Sequence, residues 1–375
     1  MKVLIHGDGN IVYGAERQAG LLAQGLGARG HEVIFACPPN TPFAEFLRER
    51  GVATVHVRPR GNLDLFSAVR FSRWIRAERP DAFLATSWKR ALSVGWAARR
   101  AGVPRIILRV GGTKAAGTRT GEWRVGRALR HYTDALVGNS RAITDFLAAR
   151  FPFFPRHALN VVWNAVEPPD IANSMVRREL RMGSAPLVLA VGGLSANKAH
   201  HLLLDALTQM KQDDVHLAVA GWGAEAERLQ QRTAELGLGA RVHWLGHRHD
   251  VPKLLGAADV FVLTSRHEGT ANALLEAMAA GVPVISTPIA GSEVALEAVA
   301  GRAPAGWLIP FGDAAALAET LERVLAAKRA NASELNGRVE EARWRTHHWF
   351  SSARMVAGYE TVLSGGHQRD DTANV

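Results

Sequence analysis

Asp259-Val-Phe-Val-Leu-Thr264, followed closely by Glu268-Gly-Thr-Ala-Asn-Ala-Leu-Leu-Glu276, decides the reading of this chain. The apolar run predicts a buried strand. Asn272-Ala-Leu-Leu-Glu-Ala-Met-Ala-Ala280 predicts a helix, and Gly281 ends it. Glu268 then sits in the strand-to-helix loop and Glu276 about two turns up the helix. The amides of Gly269, Thr270, Ala271 and Asn272 lie at the helix N-terminus, where an anion is favoured. Phosphates meeting those amides, with a carboxylate on each side to accept from pairs of hydroxyls, suit a nucleotide sugar.

Working outward, short apolar runs alternate with helical spacing along most of the chain. In the first half, strands are predicted at 3–5, 33–36, 54–57, 82–86, 105–110 and 135–138, with helices at 15–28, 43–50 and 65–78. Such alternation argues for a parallel sheet covered by helices on both faces. The pattern breaks between 152 and 169, which holds four of the sixteen prolines, and the linker is placed at 164–169. A second alternation follows, with strands at 187–191, 215–220, 242–245, 260–263 and 282–286 and helices at 201–210 and 225–236. The predicted division is therefore 1–165 and 166–349, each Rossmann-like, then a helix at 350–363 and a disordered tail at 364–375.

Length and composition agree with two domains. The 375 residues are 47% hydrophobic and 21% charged. The single cysteine, Cys37, excludes an intrachain disulfide and fits a reducing compartment. Met1-Lys-Val-Leu-Ile5 leads straight into a strand, which reads as a chain without a secretory leader, and no apolar run of about 20 residues is present. A cytoplasmic location is expected. The charge is lopsided: residues 1–165 carry 25 basic against 11 acidic side chains, a net +14, and the remainder carries −4. A basic half attracts phosphate-bearing surfaces. Solvated helix faces and an anionic membrane or lipid-linked acceptor both account for it. No nucleic-acid-binding signature accompanies the charge.

Ala257-Ala-Asp-Val-Phe-Val-Leu-Thr-Ser265, the two glutamates and Glu276-Ala-Met-Ala-Ala-Gly-Val-Pro-Val-Ile285 closely resemble the retaining glycosyltransferases of family 4, glycosyl transferases group 1. The resemblance implies an α/β GT-B fold, two Rossmann-like doubly wound domains facing across a cleft. The first would hold the acceptor and the second the donor, and the helix at 350–363 would pack back on the first. Residue by residue, it gives Tyr13-Gly-Ala-Glu-Arg17, with Gly14, the place of the glycine loop that meets donor or acceptor. Val191-Gly-Gly-Leu-Ser-Ala-Asn-Lys198 takes the place of the diphosphate clasp. Lys198 matches, but Gly193 stands where the family carries Arg. Gly221-Trp-Gly223 ends a strand, and His247 and Arg248, after Gly246, are implied to cover the base. Glu276 would bind the ribose and Glu268 the transferred sugar. Glu268 and Lys198 are the catalytic pair that the resemblance implies.

A second departure lies at Arg109-Val-Gly-Gly-Thr-Lys114, where many members have a His and this chain has Gly111. Arg109, Lys114 and Thr113 are the polar groups left there. In the front-face mechanism proposed for such enzymes the leaving phosphate itself takes the acceptor proton. No Asp-x-Asp pair and no Cys/His cluster of zinc spacing occurs, so no metal and no cofactor are expected beyond the nucleotide diphosphate sugar, a UDP- or GDP-sugar. Ser140 has neither a glycine elbow nor a partnered base, which argues against a hydrolase.

The expected function is retaining sugar transfer to a hydroxyl of a glycan or lipid-linked acceptor, in cell-surface polysaccharide or glycolipid synthesis. The enzyme would be peripheral on the inner face of the cytoplasmic membrane, touching it through the N-terminal domain. Two alternatives stand beside it: a nucleotide-sugar-binding or membrane-docking GT-B protein with weakened catalysis, and a GT-B nucleotide-sugar epimerase.

Overall fold

In the computed structural model the described residues are 1–368 except 58, 60, 63, 113–118, 173 and 300. They form two units. One comprises Met1–Ala165 with the chain from Ser352; the other is Val166–Ser351.

The first unit alternates strand and helix. Its elements are β1 (Lys2–His6), α1 (Gly14–Ala28), β2 (Glu32–Ala36), α2 (Pro42–Glu49), β3 (Ala53–Val55), α3 (Leu65–Glu78), β4 (Ala82–Ala85), α4 (Ala91–Ala101), β5 (Arg105–Val110), α5 (Arg119–Tyr132), β6 (Ala135–Gly138), α6 (Arg141–Arg150) and β7 (Leu159–Val161). The seven strands pair in the order β3-β2-β1-β4-β5-β6-β7, all parallel. Successive side chains of a strand point to opposite faces, so each central strand feeds two cores. Val3 and Ile5 pack with Leu22 and Leu26 of α1 on one face. Leu4 and Phe83 pack with Phe71 and Ile75 of α3, Val94 of α4 and Leu129 of α5 on the other. Both faces being covered, these strands read as continuous apolar runs.

The second unit contains α7 (Val176–Glu179), β8 (Leu187–Val191), α8 (His201–Gln209), β9 (His216–Ala220), α9 (Ala226–Glu235), β10 (Val242–Gly246), α10 (Val251–Ala257), β11 (Val260–Leu263), α11 (Asn272–Ala280), β12 (Val284–Ser286), α12 (Ala290–Leu296), β13 (Trp307–Leu308), α13 (Ala314–Arg329) and α14 (Ser333–His348). Its strands are also parallel, in the order β10-β9-β8-β11-β12-β13. Val188, Ala190, Val260 and Val262 pack under Leu203 and Leu207 of α8 and Leu317 and Leu321 of α13. Gly281 ends α11 at φ +73°, a left-handed position that side chains rarely adopt. The two parallel α/β sheets agree with the fold read from the alternation.

A last helix, α15 (Ser352–Leu363), belongs to the first unit. Val356 of α15 lies against Gly25 of α1, and Met355, Tyr359 and Val362 enter the same core as Val3 and Leu22. It starts two residues later than the spacing predicts, since Phe350 is buried and its carbonyl accepts from the Val166 amide at 2.8 Å. Of the tail, Gln368 donates its amide to Asn160 Oδ1 at 2.8 Å and accepts from the Val161 amide at 3.2 Å. The rest of that expectation, 369–375, lies outside the described residues. No helix among the described residues is long and apolar enough to cross a membrane.

Candidate functional site

In the second unit the chain runs from β8 outward through β9 and β10, then returns to lay β11, β12 and β13 on the other side. The loops after β8 and β11 therefore diverge at the carboxyl edge, and such a switch point is where open α/β sheets bind ligands. Lys198 comes from the first loop and Glu268 from the second. They meet, Nζ to Oε1, at 2.6 Å, both side chains about one-fifth exposed (21% and 18%). The Ser265 hydroxyl donates to the same Glu268 oxygen. Three further bonds at 2.8 Å zip the loops together: Thr264 Oγ1 to the Lys198 carbonyl, the Arg266 amide to the Asn197 carbonyl, and Asn197 Nδ2 to the His267 carbonyl. So an ammonium and a carboxylate are held side by side in a position set mainly by backbone.

Glycines let the loop after β9 close on the loop that carries Lys198. A Cβ built on Gly221, at φ +154°, would lie 1.8 Å from the Gly192 carbonyl oxygen, and one on Gly223 would lie 2.3 Å from that of Leu194. Close backbone approach accounts for both residues, whatever they meet besides. One on Gly192 would come within 3.2 Å of Lys198 Cε, so the lysine stem lies directly over that backbone. One on Gly193, by contrast, would meet nothing nearer than 3.7 Å, the Trp222 carbonyl oxygen. The space for a side chain is there, and the missing arginine is not a steric requirement.

α11 starts at Asn272 with Ala271 as its N-cap, and no side chain caps it. Glu276 is half-buried and stands four residues above Asn272, about one turn rather than the two expected. Gly269, Thr270 and Ala271 are buried in the loop beneath. Bracing comes from residues that the sequence reading passed over. Thr287 Oγ1 donates to the Ser265 carbonyl at 2.6 Å, and Ser292 Oγ to the Thr287 carbonyl at 2.7 Å. A Cβ on Gly291 would lie 2.4 Å from the Gly269 carbonyl oxygen. The only sequence signal for this brace is Thr287-Pro-Ile-Ala-Gly-Ser292, a small polar stretch after an apolar strand.

Of the two residues expected over the base, His247 is exposed and lies edge-on to His249, ring centroids 4.6 Å apart. Arg248 is committed elsewhere. It pairs with both oxygens of Asp250, at 2.7 and 2.8 Å, and with both of Glu179, at 2.5 and 3.1 Å. These bonds hold both carboxyls below their ordinary range. Trp222, 61% exposed between Gly221 and Gly223, is a large exposed aromatic face on a loop of this edge.

His200 is the N-cap residue of α8, and its side chain makes no cap hydrogen bond. It is buried beside Lys198 at the start of α8, and its Nδ1 has no hydrogen-bond partner among the described residues. Burial, then Lys198, then His201, lower its pKa to about 4. A histidine whose folded pKa lies below the unfolded value of about 6.5 gives stability present above that value and lost as pH falls toward the folded one. His201, His216 and His243 shift in the same direction through burial. We expect the unfolding midpoint in urea to drop between pH 6.5 and 4, and His200→Phe to flatten that slope; an equal slope in the variant would remove His200 from the account.

In the first unit, taken by itself, Gly14 opens α1, and the Glu16 carboxylate accepts from the Tyr13 amide at 3.3 Å. The switch point lies between β1 and β4. There Arg90 Nε meets Asp8 Oδ1 at 2.7 Å, and fully buried His6 ends β1 with Nε2 3.9 Å from the same oxygen. Arg109 turns inward: its guanidinium donates to Asn164 Oδ1 at 2.8 Å and lies beside the buried Tyr359 hydroxyl. Burial raises the pKa of that hydroxyl. Gly111 follows β5, and Thr113 and Lys114 lie outside the described residues. Ser140 caps α6, its oxygen accepting from the Ile143 amide.

Among the described residues no three His, Cys, Asp or Glu side chains are grouped to hold a metal ion.

Comparison with known proteins matches both units. A sequence model described as Glycosyltransferase Family 4 covers residues 12–169, and one described as Glycosyl transferases group 1 covers 185–327. The chain is 32% identical over 142 residues to the lipopolysaccharide core biosynthesis glycosyltransferase LpsE of Rhizobium meliloti, a stretch covering 38% of this chain and 40% of that protein. It is 28% identical over 300 residues to the GDP-mannose-dependent α-(1-6)-phosphatidylinositol monomannoside mannosyltransferase of Mycolicibacterium smegmatis, 73% of each chain. Among solved structures it resembles Anabaena Alr3699/HepE in complex with UDP, with a TM-score of 0.80 at 20% identity over 97% of this chain and all of that one. The fold is shared with that protein. The matches to both halves, taken with the glycine-bound loops around Lys198 and Glu268, place the chain in glycosyltransferase family 4, the glycosyl transferases group 1.

Proposed function

We propose that the protein is a retaining, metal-independent glycosyltransferase that moves a sugar from a nucleotide diphosphate sugar to a hydroxyl of a glycan or lipid-linked acceptor. The observation that carries this reading is the Lys198–Glu268 pair at the switch point of the second sheet. Lys198 supplies positive charge to the diphosphate. The start of α11 adds its dipole and amides. Glu268 accepts from hydroxyls of the transferred sugar, and Glu276, one turn higher, from those of the ribose. In the transfer the bond from the anomeric carbon to the phosphate oxygen breaks and the bond to the acceptor oxygen forms on the same face. The acceptor proton passes to the departing phosphate, so no side chain need serve as base at Gly111. The UDP in the structure of Alr3699/HepE and the GDP-mannose in the name of the mycobacterial relative make UDP- and GDP-sugars the donors to screen. The phosphatidylinositol monomannoside in that relative's name and the lipopolysaccharide core in the name of LpsE support an acceptor of cell-surface glycan or glycolipid type. The net +14 of residues 1–165 supports an anionic surface near the first unit.

A thermal-shift screen of nucleotide sugars tests the donor, since a bound ligand raises stability by mass action. Labelled transfer in excess EDTA then tests the reaction. No stabilisation by any UDP- or GDP-sugar, or transfer that needs a divalent ion, would overturn the reading. Product formed without acceptor would favour the epimerase.

Two substitutions bear on the donor contacts. Glu276→Ala is expected to weaken donor binding by roughly ten- to a hundredfold with the fold intact, the loss of about 1.5–3 kcal/mol for a hydrogen bond to a charged group. Titration calorimetry reads it, and an unchanged dissociation constant removes the ribose assignment. Gly193→Arg is expected to tighten nucleoside diphosphate binding several-fold, because the position has room and the loop carries only Lys198 as a cation. Tightening without any salt dependence would mean that the added charge is not what binds.

A further inference from the structure

α5 turns one face outward that a soluble helix seldom shows. Trp123, Arg127 and Arg130 recur at helical spacing on that face, while Val125, Ala128 and Leu129 are buried on the other. Trp123 is 58% exposed. Arg127 lies over its ring, guanidinium 5.2 Å from the centroid, and Arg130 lies over Phe153 at 4.6 Å. Neither arginine has a carboxylate partner among the described residues. Beside Trp123 the surface opens into a groove of about 430 Å³ between α3, α4 and α5, walled by Leu65, Leu92, Trp96 and Tyr132. It shares Trp123 and Arg127 with a second hollow of about 390 Å³ that reaches Arg130 and Phe153.

Asn62, Asp64 and Ser93, which line the first groove, are engaged within the chain. Asn62 Nδ2 donates to the Lys89 carbonyl at 2.6 Å, Asp64 caps α3 by accepting from the Ser67 amide at 3.0 Å, and Ser93 Oγ donates to the Arg90 carbonyl at 3.2 Å. What remains is aromatic and aliphatic wall at one end and uncompensated guanidinium at the other. That order, apolar then cationic, complements an amphiphile with an anionic head. A sugar would set most of its hydroxyls against apolar wall, and a free phosphate would not use that wall.

We infer that this groove takes the hydrocarbon chain of a membrane lipid with a phosphate head, and that Arg127 and Arg130 pair with that phosphate. The inference rests on reading the acceptor as lipid-linked, and it names the surface of the first unit that engages it. Phe66, 82% exposed beside Leu65 at the start of α3, extends the apolar rim. Aromatic and aliphatic side chains interleaved with arginine are the composition of surfaces that lie at a membrane interface.

The test uses the full chain and dodecyl phosphate below its micelle-forming concentration, followed by tryptophan fluorescence, with inorganic phosphate and dodecyl maltoside as controls. Pelleting with vesicles of phosphatidylcholine alone or mixed equally with phosphatidylglycerol is measured in parallel. Leu65→Asp, Trp123→Ser and the double variant Arg127→Glu/Arg130→Glu change exposed residues, so nucleoside diphosphate binding reports their folding. Titration calorimetry repeats the dodecyl phosphate measurement for Trp123→Ser. Expected are saturable binding of dodecyl phosphate, its weakening by about tenfold or more in each variant, and pelleting with the anionic vesicles only. Binding that the variants leave unchanged, binding no tighter than that of inorganic phosphate or dodecyl maltoside, or tighter binding of an oligouridylate at the same residues would overturn the inference. Failure of the donor reading would show separately, as absence of nucleoside diphosphate binding in the unsubstituted protein.

Discussion

Lys198→Ala is expected to lower kcat/KM by about 10²–10³, the scale found when one preorganised stabilising group is removed from an active site. The expectation follows from how few cations the loop offers. Gly193 contributes none, Arg248 is pinned between Asp250 and Glu179, and Arg266 lies over the Phe311 ring at 4.9 Å. On the proposed reading, Lys198 is then the cation left to offset the negative charge that a departing diphosphate develops. Its ammonium donates to Glu268 at 2.6 Å, which holds it in place at the switch point. Its stem lies over Gly192, which limits where the head can go. Lys198→Arg should recover little, because the broad planar fork of a guanidinium does not fit the geometry of a compact ammonium. Steady-state rates with the donor found by screening, together with calorimetry of the nucleoside diphosphate, separate binding from chemistry. A rate within about threefold of the unsubstituted protein would leave Lys198 as a strut for Glu268 and no more.

Much of this was legible because both sheets are buried on both faces. Leu187 to Val191 and Val260 to Leu263 are almost uninterrupted apolar runs, and each is followed by a turn rich in small residues. That Lys198 and Glu268 meet was not legible from spacing. It depends on β11 lying beside β8 rather than β10, a fact of topology that joins residues 70 positions apart. Arg248 illustrates the limit from the other side. Asp250 is two residues away, but Glu179, which completes its pairing, comes from α7, and nothing local marks that short helix as its neighbour. α13 carries ordinary helical spacing at Leu317, Leu321, Val324 and Leu325, although the alternation read above stops short of it. α14 is different in kind. Its buried positions include Leu335 and Ala342 but also Glu341, Arg345 and Thr346, so an apolar stripe never appears in the sequence. Charged residues occupy its inner face and satisfy one another there.

Arg345 is the centre of that arrangement, and Arg345→Met is expected to destabilise the second unit by about 3–5 kcal/mol, the cost of removing one partner from a buried pair. The side chain is fully buried. Its Nε donates to Glu341 Oε1 at 2.8 Å, and its other nitrogens reach the carbonyls of Ala295 at 3.1 Å, Glu297 at 2.7 Å and Ala303 at 2.6 Å. Those first two carbonyls belong to the end of α12, whose helix leaves its last carbonyls without helical partners. Glu341 is in turn clasped by Arg302, with two bonds at 2.7 Å, and Arg302 lies over the Trp344 ring. The two guanidinium groups hold the Glu341 carboxyl below its ordinary range against the opposing effect of burial. Methionine fills part of the volume but leaves a buried carboxylate with one partner fewer and takes the guanidinium donor from the three carbonyls. A loss of that size lowers the melting temperature of a unit of this length by roughly 10 °C. The double variant Arg345→Met/Glu341→Leu separates charge from packing: apolar replacement of both partners should recover part of the loss, since it leaves no buried carboxylate behind. If the double variant melts no higher than the single one, the carbonyl contacts to α12 and not the ion pair hold the helix. That distinction matters for the candidate site, because the other end of α12 presents Gly291 to the carbonyl of Gly269. Loosening α12 should therefore weaken nucleoside diphosphate binding at temperatures well below melting, and calorimetry on the single variant reads that coupling directly.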